Sequence, residues 1–235
     1  MVNVDEFEKE KFDSQAVDWW DKNGPLKTLH DINPCRVNYI KEYSELANSE
    51  ICDVGCGGGI LSTQLAREGG QVTAIDAAPK LIEAAKLHAK ENNLDINYKV
   101  ELSASLAASF SNTFDLVTCM ELVEHVPAPS ELIKDCARLL KPGGILVIST
   151  LNRNPVSYAF SILTAEYLLG LIPKGTHDYT KFLKPSELAK ITRALGLTTL
   201  DISGMYYNPL TRNASMGRPP LINDVACFRK PLLND

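Results

Sequence analysis

The period of the apolar positions changes repeatedly along the middle of the chain. Apolar residues at three- and four-residue spacing predict helices over 60–68, 79–92 and 130–140. Short runs rich in Val, Ile and Leu predict the buried strands EICDVG, QVTAID, INYKVEL, FDLVTCM and ILVISTL, and two later strands are predicted at LTTLDISGMYY and DVACFRK. Strands that alternate with helices in this way indicate an α/β fold with a doubly wound, mostly parallel sheet of seven strands.

The segments outside this alternation have helical spacing. Residues 5–22 predict one helix, and a short helix is predicted to begin near Pro34, because proline is favoured in the first turn of a helix. The run at 184–196 predicts a helix with Ser186 as its N-cap and Gly196 at its end. We therefore expect a helical cap before the sheet and one more helix before its last strands.

A mostly apolar stretch at 156–172 interrupts the alternation after the fifth strand. Its length is close to the lower limit for a helix that spans a bilayer, and Glu166 is unfavourable at its centre. Tyr158 and Tyr167 suit a membrane interface. We interpret residues 155–180 as a lid or interfacial helix over the sheet, with a core helix or a dimer interface as the alternative.

Charge and cysteine content narrow the class of protein. The formal net charge is −5, which argues against nucleic acid as a partner, because proteins that bind phosphate backbones usually carry a basic face. None of the six cysteines forms a C-x-x-C pair, so we expect reduced, buried thiols in a cytosolic protein. The charged N-terminus has no apolar segment of the secretory type.

A glycine-rich run, DVGCGGG at 53–59, follows the first predicted strand and opens a helix. Gly55, Gly57 and Gly59 permit a tight turn and close approach of a ligand to the backbone. Asp76 ends the next strand, where a carboxylate can accept hydrogen bonds from both ribose hydroxyls of a nucleoside. The combination predicts a cofactor that contains a nucleoside.

Asp53 favours one kind of nucleoside cofactor over another. It stands at the end of the strand, directly before the glycine turn. A carboxylate beside a diphosphate would repel it, whereas a carboxylate beside a sulfonium and an ammonium is favourable. The residue therefore favours S-adenosylmethionine over NAD.

Two carboxylates and an imidazole follow the fourth predicted strand. Glu121, Glu124 and His125 lie at i, i+3 and i+4, which places them on one side of a helical turn. Two oxygens and one nitrogen suit a divalent cation such as magnesium or zinc. The alternatives are that His125 or Glu124 is a general base without metal, or that the three residues are only a solvated helix start.

Several segments together carry a resemblance to a known family. DVGCGGG, VTAID, FDLVTCMELVEH and LLKPGGILVIS resemble the motifs of class I S-adenosylmethionine-dependent methyltransferases, which have a Rossmann-like fold. WWD, LHDINPCR, MELVEHVP, STLNRN, PKGTHD and YNP are similar to the ubiquinone biosynthesis O-methyltransferases. The resemblance covers roughly residues 7–210 and implies one methyltransferase domain over 1–235. We expect this domain to consist of a helical cap (1–48), a cofactor-binding core (49–154), the insertion (155–180) and the rest of the sheet (181–235).

The resemblance also implies substrates, partners and site residues. Family members methylate phenolic hydroxyls of polyprenylated ubiquinone precursors with S-adenosylmethionine, so we expect a polyprenylated phenol as substrate. The matching cofactor-binding positions are Arg36, Gly55, Asp76 and Met120, beside Asp53 and Gly57 from the turn itself. In eukaryotic members a divalent cation is bound through the positions matching the acid and imidazole trio, which makes Mg²⁺ a candidate here.

Alternatives remain at each step. Arg36 could be a surface cation and Met120 a core residue. A membrane surface, contacted through 155–175, is an expected partner. We therefore expect a cytoplasmic protein on the inner membrane face. Other proteins of ubiquinone biosynthesis are a further class of expected partner. The rival functions are methylation of another small phenol, lipid binding without turnover, and NAD-dependent oxidoreduction.

Overall fold

The computed structural model describes residues 3–157 and 181–232. Within them, eight strands form one sheet in the order β3-β2-β1-β4-β5-β8-β6-β7. The strands are β1 (Glu50–Val54), β2 (Gln71–Asp76), β3 (Ile96–Val100), β4 (Phe114–Met120), β5 (Leu140–Leu151), β6 (Thr198–Asn208), β7 (Asn213–Gly217) and β8 (Asn223–Arg229).

Helices lie before, between and after these strands. They are α1 (Glu6–Asp13), α2 (Lys27–Tyr43), α3 (Ile60–Arg67), α4 (Pro79–Glu91), α5 (Ser103–Ser109), α6 (Pro129–Leu139), α7 (Pro155–Ser157) and α8 (Pro185–Ala194). Two short 3₁₀ helices, Ala16–Asp18 and Val123–His125, complete the described elements.

Strand direction places the functional end of the sheet. Strands β1 to β5 pair in parallel, so their carboxyl ends meet at one side of the molecule. Strand β8 is inserted antiparallel between β5 and β6. Its first residues therefore lie beside the carboxyl end of β5, where Asn223 pairs with Leu151.

Two apolar layers hold the sheet between its helices. Ile51, Leu116 and Val147 belong to the cluster that α2 and α3 cover. Val117 and Ile148 point to the opposite cluster, which includes residues of α6 and α8. The alternation of these neighbours along β4 and β5 is the two-residue period of a sheet buried on both faces.

The structure corrects several expected elements. The expected seven strands become eight, because the polar hairpin strand β7 pairs only with β6 and has no apolar run that would predict it. The expected helix over 5–22 is broken after Asp13. Pro34 does not begin a helix but lies inside α2, whose buried face packs well enough to offset the lost backbone hydrogen bond.

Two smaller differences concern helix ends and a connection. The last helix begins at Pro185 with Lys184 as N-cap, so Ser186 is in the first turn instead of capping it. The carboxylate of Glu187 accepts the backbone N–H of Lys184 at 2.9 Å, which fixes this start. Helix α5, between β3 and β4, was not predicted, because SASLAAS is short and has little apolar contrast.

The apolar insertion lies almost entirely outside the described residues, since 158–180 are not described. The expected interfacial helix or lid, and PKGTHD within it, are therefore not assessed. In the part of the chain that the structure describes, no helix is long and apolar enough to cross a membrane. The division into cap, core and insertion stays a prediction.

A buried hydrogen bond fixes α2 against the sheet. The Tyr39 hydroxyl donates to Oδ2 of Asp201 on β6 at 3.0 Å, and Tyr39 is only 2% exposed. We expect Tyr39→Phe to lower the free energy of unfolding by about 1–3 kcal/mol, because a buried carboxylate loses a donor. Urea unfolding measures this loss.

Tyr98→Phe is the matched control. The Tyr98 hydroxyl is also buried, but it lies 3.5 Å from the Gly59 carbonyl, and no described carboxylate is hydrogen-bonded to it. A smaller loss than in Tyr39→Phe is expected. Equal unfolding free energies for Tyr39→Phe and the unmodified chain would contradict the role given to this bond.

Candidate active site

A large cavity opens at the carboxyl ends of β1, β2 and β4. Its volume is about 1710 Å³, and residues from the glycine turn, α1, α2, β6 and β8 line it. Pockets for one small ligand are usually about 300–1,000 Å³, so this cavity has room for a cofactor and a second ligand together. The sheet topology places it where doubly wound folds bind ligands.

The glycine turn forms one wall of the cavity. Gly55 and Gly57 have φ values of 75° and 53°, in the left-handed region that favours glycine. The backbone N–H of Gly55 donates to the Ile75 carbonyl at 2.8 Å, which joins the turn to β2. A Cβ on Gly55 would lie 2.6 Å from Cδ2 of Leu122, so a side chain there would clash.

Asp76 joins the same turn from the end of β2. Its Oδ2 accepts the N–H of Gly57 at 2.9 Å, and its Oδ1 accepts the N–H of Ala78 at 2.8 Å. Burial raises the pKa of Asp76, and these two backbone donors oppose that shift. Each carboxylate oxygen keeps a further lone pair, so the group can still accept ribose hydroxyls.

Asp53 is placed differently from Asp76. It is 2% exposed, and its two oxygens accept the hydroxyls of Ser62 at 2.6 Å and Thr118 at 2.8 Å. Burial raises its pKa, whereas the two hydroxyls and the nearby charge of Arg36 lower it. Asp53 therefore ties β1 to α3 and β4, and its direct contact with a cofactor stays a prediction.

Arg36 and Glu121 form an ion pair in the wall of the cavity. Arg36 is 5% exposed, and its Nη2 is 2.5 Å from Oε1 of Glu121. The Asn223 amide donates to the same oxygen at 2.7 Å. Glu121 has a φ of 52°, a conformation that is uncommon for a residue with a side chain, so these partners hold a strained position. Arg36 is thus buried, contrary to the surface alternative.

Glu124 does not line the cavity and is buried beside other polar side chains. It is 2% exposed, its Oε2 accepts the Thr150 hydroxyl at 3.0 Å, and its Oε1 has no hydrogen-bond partner among the described residues. Burial raises its pKa. Asp224, the strand partner of Thr150, is fully buried, and neither of its oxygens has a partner in the described ranges. Burial, together with the Glu124 charge, raises the pKa of Asp224 to about 8.

His125 lines the cavity and contacts the N-terminal helix. Its Nδ1 donates to Oε2 of Glu8 at 3.1 Å, and its ring meets the Phe12 ring edge-on at 5.0 Å. Glu8 and Phe12 both line the cavity. The contact with Glu8 was not predicted, because the two residues are far apart in sequence and no local pattern connects them.

The three proposed metal ligands do not converge as they are arranged. Glu121 pairs with Arg36, Glu124 is buried beside Thr150, and His125 contacts Glu8. Within 3–157 and 181–232, no group of three or more His, Cys, Asp or Glu side chains is arranged to hold a metal ion. The expected trio therefore does not fit one divalent cation in this arrangement, since 3₁₀ geometry replaces the expected helical turn.

The remaining expected residue, Met120, lies at the end of β4 and lines the cavity while 9% exposed. It also belongs to the apolar cluster under α2, so the core and cofactor interpretations are compatible. Sequence reasoning missed Glu8, Trp19 and Asn223, which line the same cavity. Only Trp19 had a signal, since it stands in the family segment WWD.

The sheet order, the glycine turn and the acid after β2 define a Rossmann-like class I methyltransferase fold. A family model described as a methyltransferase domain matches residues 52–148. The structure of magnesium protoporphyrin IX methyltransferase from Synechocystis with bound SAM is similar, with a TM-score of 0.66 and 18% identity over 98% of this chain and 99% of that one. A methyltransferase structure from Methanosarcina mazei gives 0.63 and 24%, over 83% and 97%. These likenesses show the fold.

Two relatives identify the family. The ubiquinone biosynthesis O-methyltransferase of Nitrosospira multiformis is 49% identical over 97% of this chain and 95% of its own length. That of Stutzerimonas stutzeri is 48% identical over 95% and 96%. The chain belongs to the family of ubiquinone biosynthesis O-methyltransferases.

Asp224 gives a testable pH dependence. Its pKa is raised to about 8 in the folded state, so between about pH 4 and pH 8 the folded chain keeps a proton that the unfolded chain releases. Stability therefore falls as pH rises through this window. We expect Asp224→Asn to raise the melting temperature relative to the unmodified chain at pH 8.5 but much less at pH 5.

The control is Asp95→Asn, because Asp95 is exposed before β3. Thermal unfolding at the two pH values should give no pH-dependent difference for this variant. Parallel curves for Asp224→Asn and the unmodified chain across the whole range would contradict the assignment of a neutral buried carboxyl.

Proposed function

We propose that the chain transfers the methyl group of S-adenosylmethionine to phenolic hydroxyls of polyprenylated ubiquinone precursors, in both O-methylation steps. One observation carries the proposal: the glycine turn, Asp76 and His125 line a single cavity in a chain that is 49% identical to a named enzyme of this kind over nearly its whole length. The acceptor and the donor can therefore meet in one enclosed site.

The donor is held by the turn and Asp76. Gly55 and Gly57 line the cavity, with Leu122 and Trp19 packed where their side chains would be, and Asp76 accepts the ribose hydroxyls. Arg36 carries a planar fork that suits the carboxylate at the amino-acid end, and Met120 can pack on the adenine. Asp53, beneath the turn, favours a cationic sulfonium over a diphosphate.

His125 is the residue best placed to take the acceptor proton. Glu124 is buried outside the cavity lining, and Glu121 is held by Arg36 and Asn223. His125 lines the cavity, and the Glu8 carboxylate on its Nδ1 orients the ring. We therefore assign His125 as the general base and Glu121 as a residue that orients the acceptor.

The transfer requires alignment and one proton acceptor. The phenolic oxygen attacks the methyl carbon, the oxygen–carbon bond forms, and the carbon–sulfur bond breaks, so the sulfonium becomes a neutral thioether. The phenolic proton passes to His125. The enzyme must hold oxygen, carbon and sulfur in line with the reacting atoms about 3 Å apart, which the enclosing walls of the cavity favour.

Turnover tests the proposal directly. Labelled S-adenosylmethionine is incubated with catechol-headed polyprenyl substrates and with soluble phenols. Methylation of the polyprenyl substrates is expected. Methylation of soluble phenols alone would support a different methyltransferase, and lipid binding without turnover would support a non-catalytic role. Calorimetry that detected NAD but not S-adenosylhomocysteine would contradict the proposal.

The same assay after chelation tests the metal hypothesis. Loss of turnover that added magnesium restores would support Glu121, Glu124 and His125 as ligands in a rearranged site. Full activity after chelation would support His125 as a base without metal.

A substitution isolates the proton acceptor. We expect His125→Asn to lower kcat by a factor of about 10²–10⁴, because the substrate hydroxyl loses its base, while affinity for S-adenosylhomocysteine stays unchanged. Steady-state kinetics and calorimetry measure the two effects. His88→Asn, on helix α4, is the control and should keep full kcat. An unchanged kcat in His125→Asn would refute the assignment.

The chain is also proposed to dock on the cytoplasmic face of the inner membrane through 155–175. The composition of that segment and the polyprenyl tail of the substrate support this, and other proteins of ubiquinone biosynthesis would be neighbours there. Replacing Leu163, Leu168 and Leu169 by Ser should reduce flotation with liposomes, because apolar area for insertion is lost. Unchanged flotation would remove the docking proposal.

A further inference from the structure

Helix α1 is held at both ends beside the cavity. Before its start, Oδ1 of Asn3 accepts the N–H of Ala128 at 2.8 Å, and Nδ2 of Asn3 donates to the Ala128 carbonyl at 2.9 Å. Ala128 lies three residues after His125. At its end, Oδ1 of Asp13 accepts the N–H of Lys80 at 2.7 Å, in the first turn of α4, which follows β2. The helix therefore extends from the side of the imidazole to the side of the β2 end.

One face of α1 presents a carboxylate and an aromatic ring to the same imidazole. Glu8 and Phe12 are four residues apart, so they are neighbours on that face. Oε2 of Glu8 is 3.1 Å from Nδ1 of His125, and the Phe12 ring meets the imidazole edge-on, with the ring centroids 5.0 Å apart. All three residues line the cavity. Phe12 is thus part of the cavity wall beside His125.

Phe12 also contacts the side of the cavity that the glycine turn forms. Its side chain packs against the apolar cluster that contains Trp19, Ile60 and Leu81. Trp19 lies directly against the turn, since a Cβ on Gly57 would be 2.4 Å from Cζ2 of its indole. The Phe12 side chain therefore lies between the wall beside the turn and the imidazole.

The Phe12 ring is accessible and does not fill a closed core. The side chain is half-buried, and none of the eight residues of α1 is fully buried. The hydrogen bonds at the two ends of the segment hold it without that ring. Cavities that bind small molecules are lined mainly by apolar and aromatic side chains, so an accessible ring in this wall is suited to contact a ligand.

We propose that Phe12 is an acceptor-binding residue, whose ring packs against the aromatic ring of the phenol and so favours an aromatic methyl acceptor. This inference rests on the proposed function, because it takes a phenol as the acceptor and His125 as its base. A base takes a proton over a hydrogen bond of about 2.6–3.2 Å, so the ring that carries the hydroxyl lies beside the imidazole. That ring must also reach the donor at the glycine turn, and Phe12 contacts both sides.

The test measures the acceptor and the donor separately. Phe12→Leu keeps an apolar side chain and removes the ring. We expect the KM for a catechol-headed polyprenyl acceptor to rise about three- to tenfold, because packing between two aromatic rings is lost. The affinity for S-adenosylhomocysteine should stay within about twofold. Steady-state kinetics with labelled S-adenosylmethionine and calorimetry measure the two effects.

Phe7→Leu is the matched control. Phe7 belongs to the same helix but is 74% exposed and does not line the cavity, so KM and donor affinity should both stay unchanged. Phe12→Tyr keeps the ring and should keep the KM of the unmodified chain. An unchanged KM in Phe12→Leu, or an equal rise in Phe12→Tyr, would overturn the inference. Failure of the unmodified chain to methylate any phenol would instead defeat the proposed function.

A second measurement separates loss of the ring from displacement of α1. Two ligands with the same prenyl chain, one with a catechol head and one with a cyclohexane-1,2-diol head, are titrated into the complex with S-adenosylhomocysteine. Displacement of the helix would weaken both ligands alike. We expect Phe12→Leu to lower the preference for the catechol head about three- to tenfold. A preference equal to that of the unmodified chain would overturn the inference.

Discussion

The hydrogen bond from the Gly57 N–H to the Asp76 carboxylate is the contact on which the site depends. It joins the turn after β1 to the end of β2, so these two segments of the cavity wall are tied together. Glycine is required at position 57 for two reasons. Its φ is positive, and a Cβ there would lie 2.4 Å from Cζ2 of Trp19. A carboxylate already held by two backbone donors presents its remaining lone pairs in a fixed direction.

The acidic groups in the cavity wall and the buried Asp224 beside β5 have different hydrogen-bond partners. Asp76 is held by backbone donors, Asp53 by two hydroxyls and Glu121 by Arg36 and Asn223. Asp224 has no such partner among the described residues, and its raised pKa favours the neutral form. Burial would otherwise place several negative charges close together, which is unfavourable in a medium of low dielectric constant.

The sequence predicts the sheet and the position of the glycine turn well, because both depend on local patterns. The alternation of apolar strand segments with helices predicts β1 to β5, and DVGCGGG followed by Asp76 predicts the position of the turn. The part of the cavity around His125 and Glu121 depends on contacts between distant segments, such as His125 with Glu8 and Glu121 with Arg36 and Asn223. Spacing alone suggested that Glu121, Glu124 and His125 share a face, but the 3₁₀ turn and the left-handed Glu121 direct them to different partners. Strand β7 is not predicted from the sequence for a related reason, since a partly exposed edge strand needs no apolar pattern.

The central claim is that Asp76 binds the ribose of the cofactor while it holds the turn. Calorimetric titration of Asp76→Asn with S-adenosylhomocysteine tests it most directly, with the exposed Asp95→Asn as control. The amide cannot accept both hydroxyls and the Gly57 N–H as a carboxylate does, so an affinity at least about tenfold lower is predicted, with the control unchanged. An affinity equal to that of the unmodified chain would contradict the account.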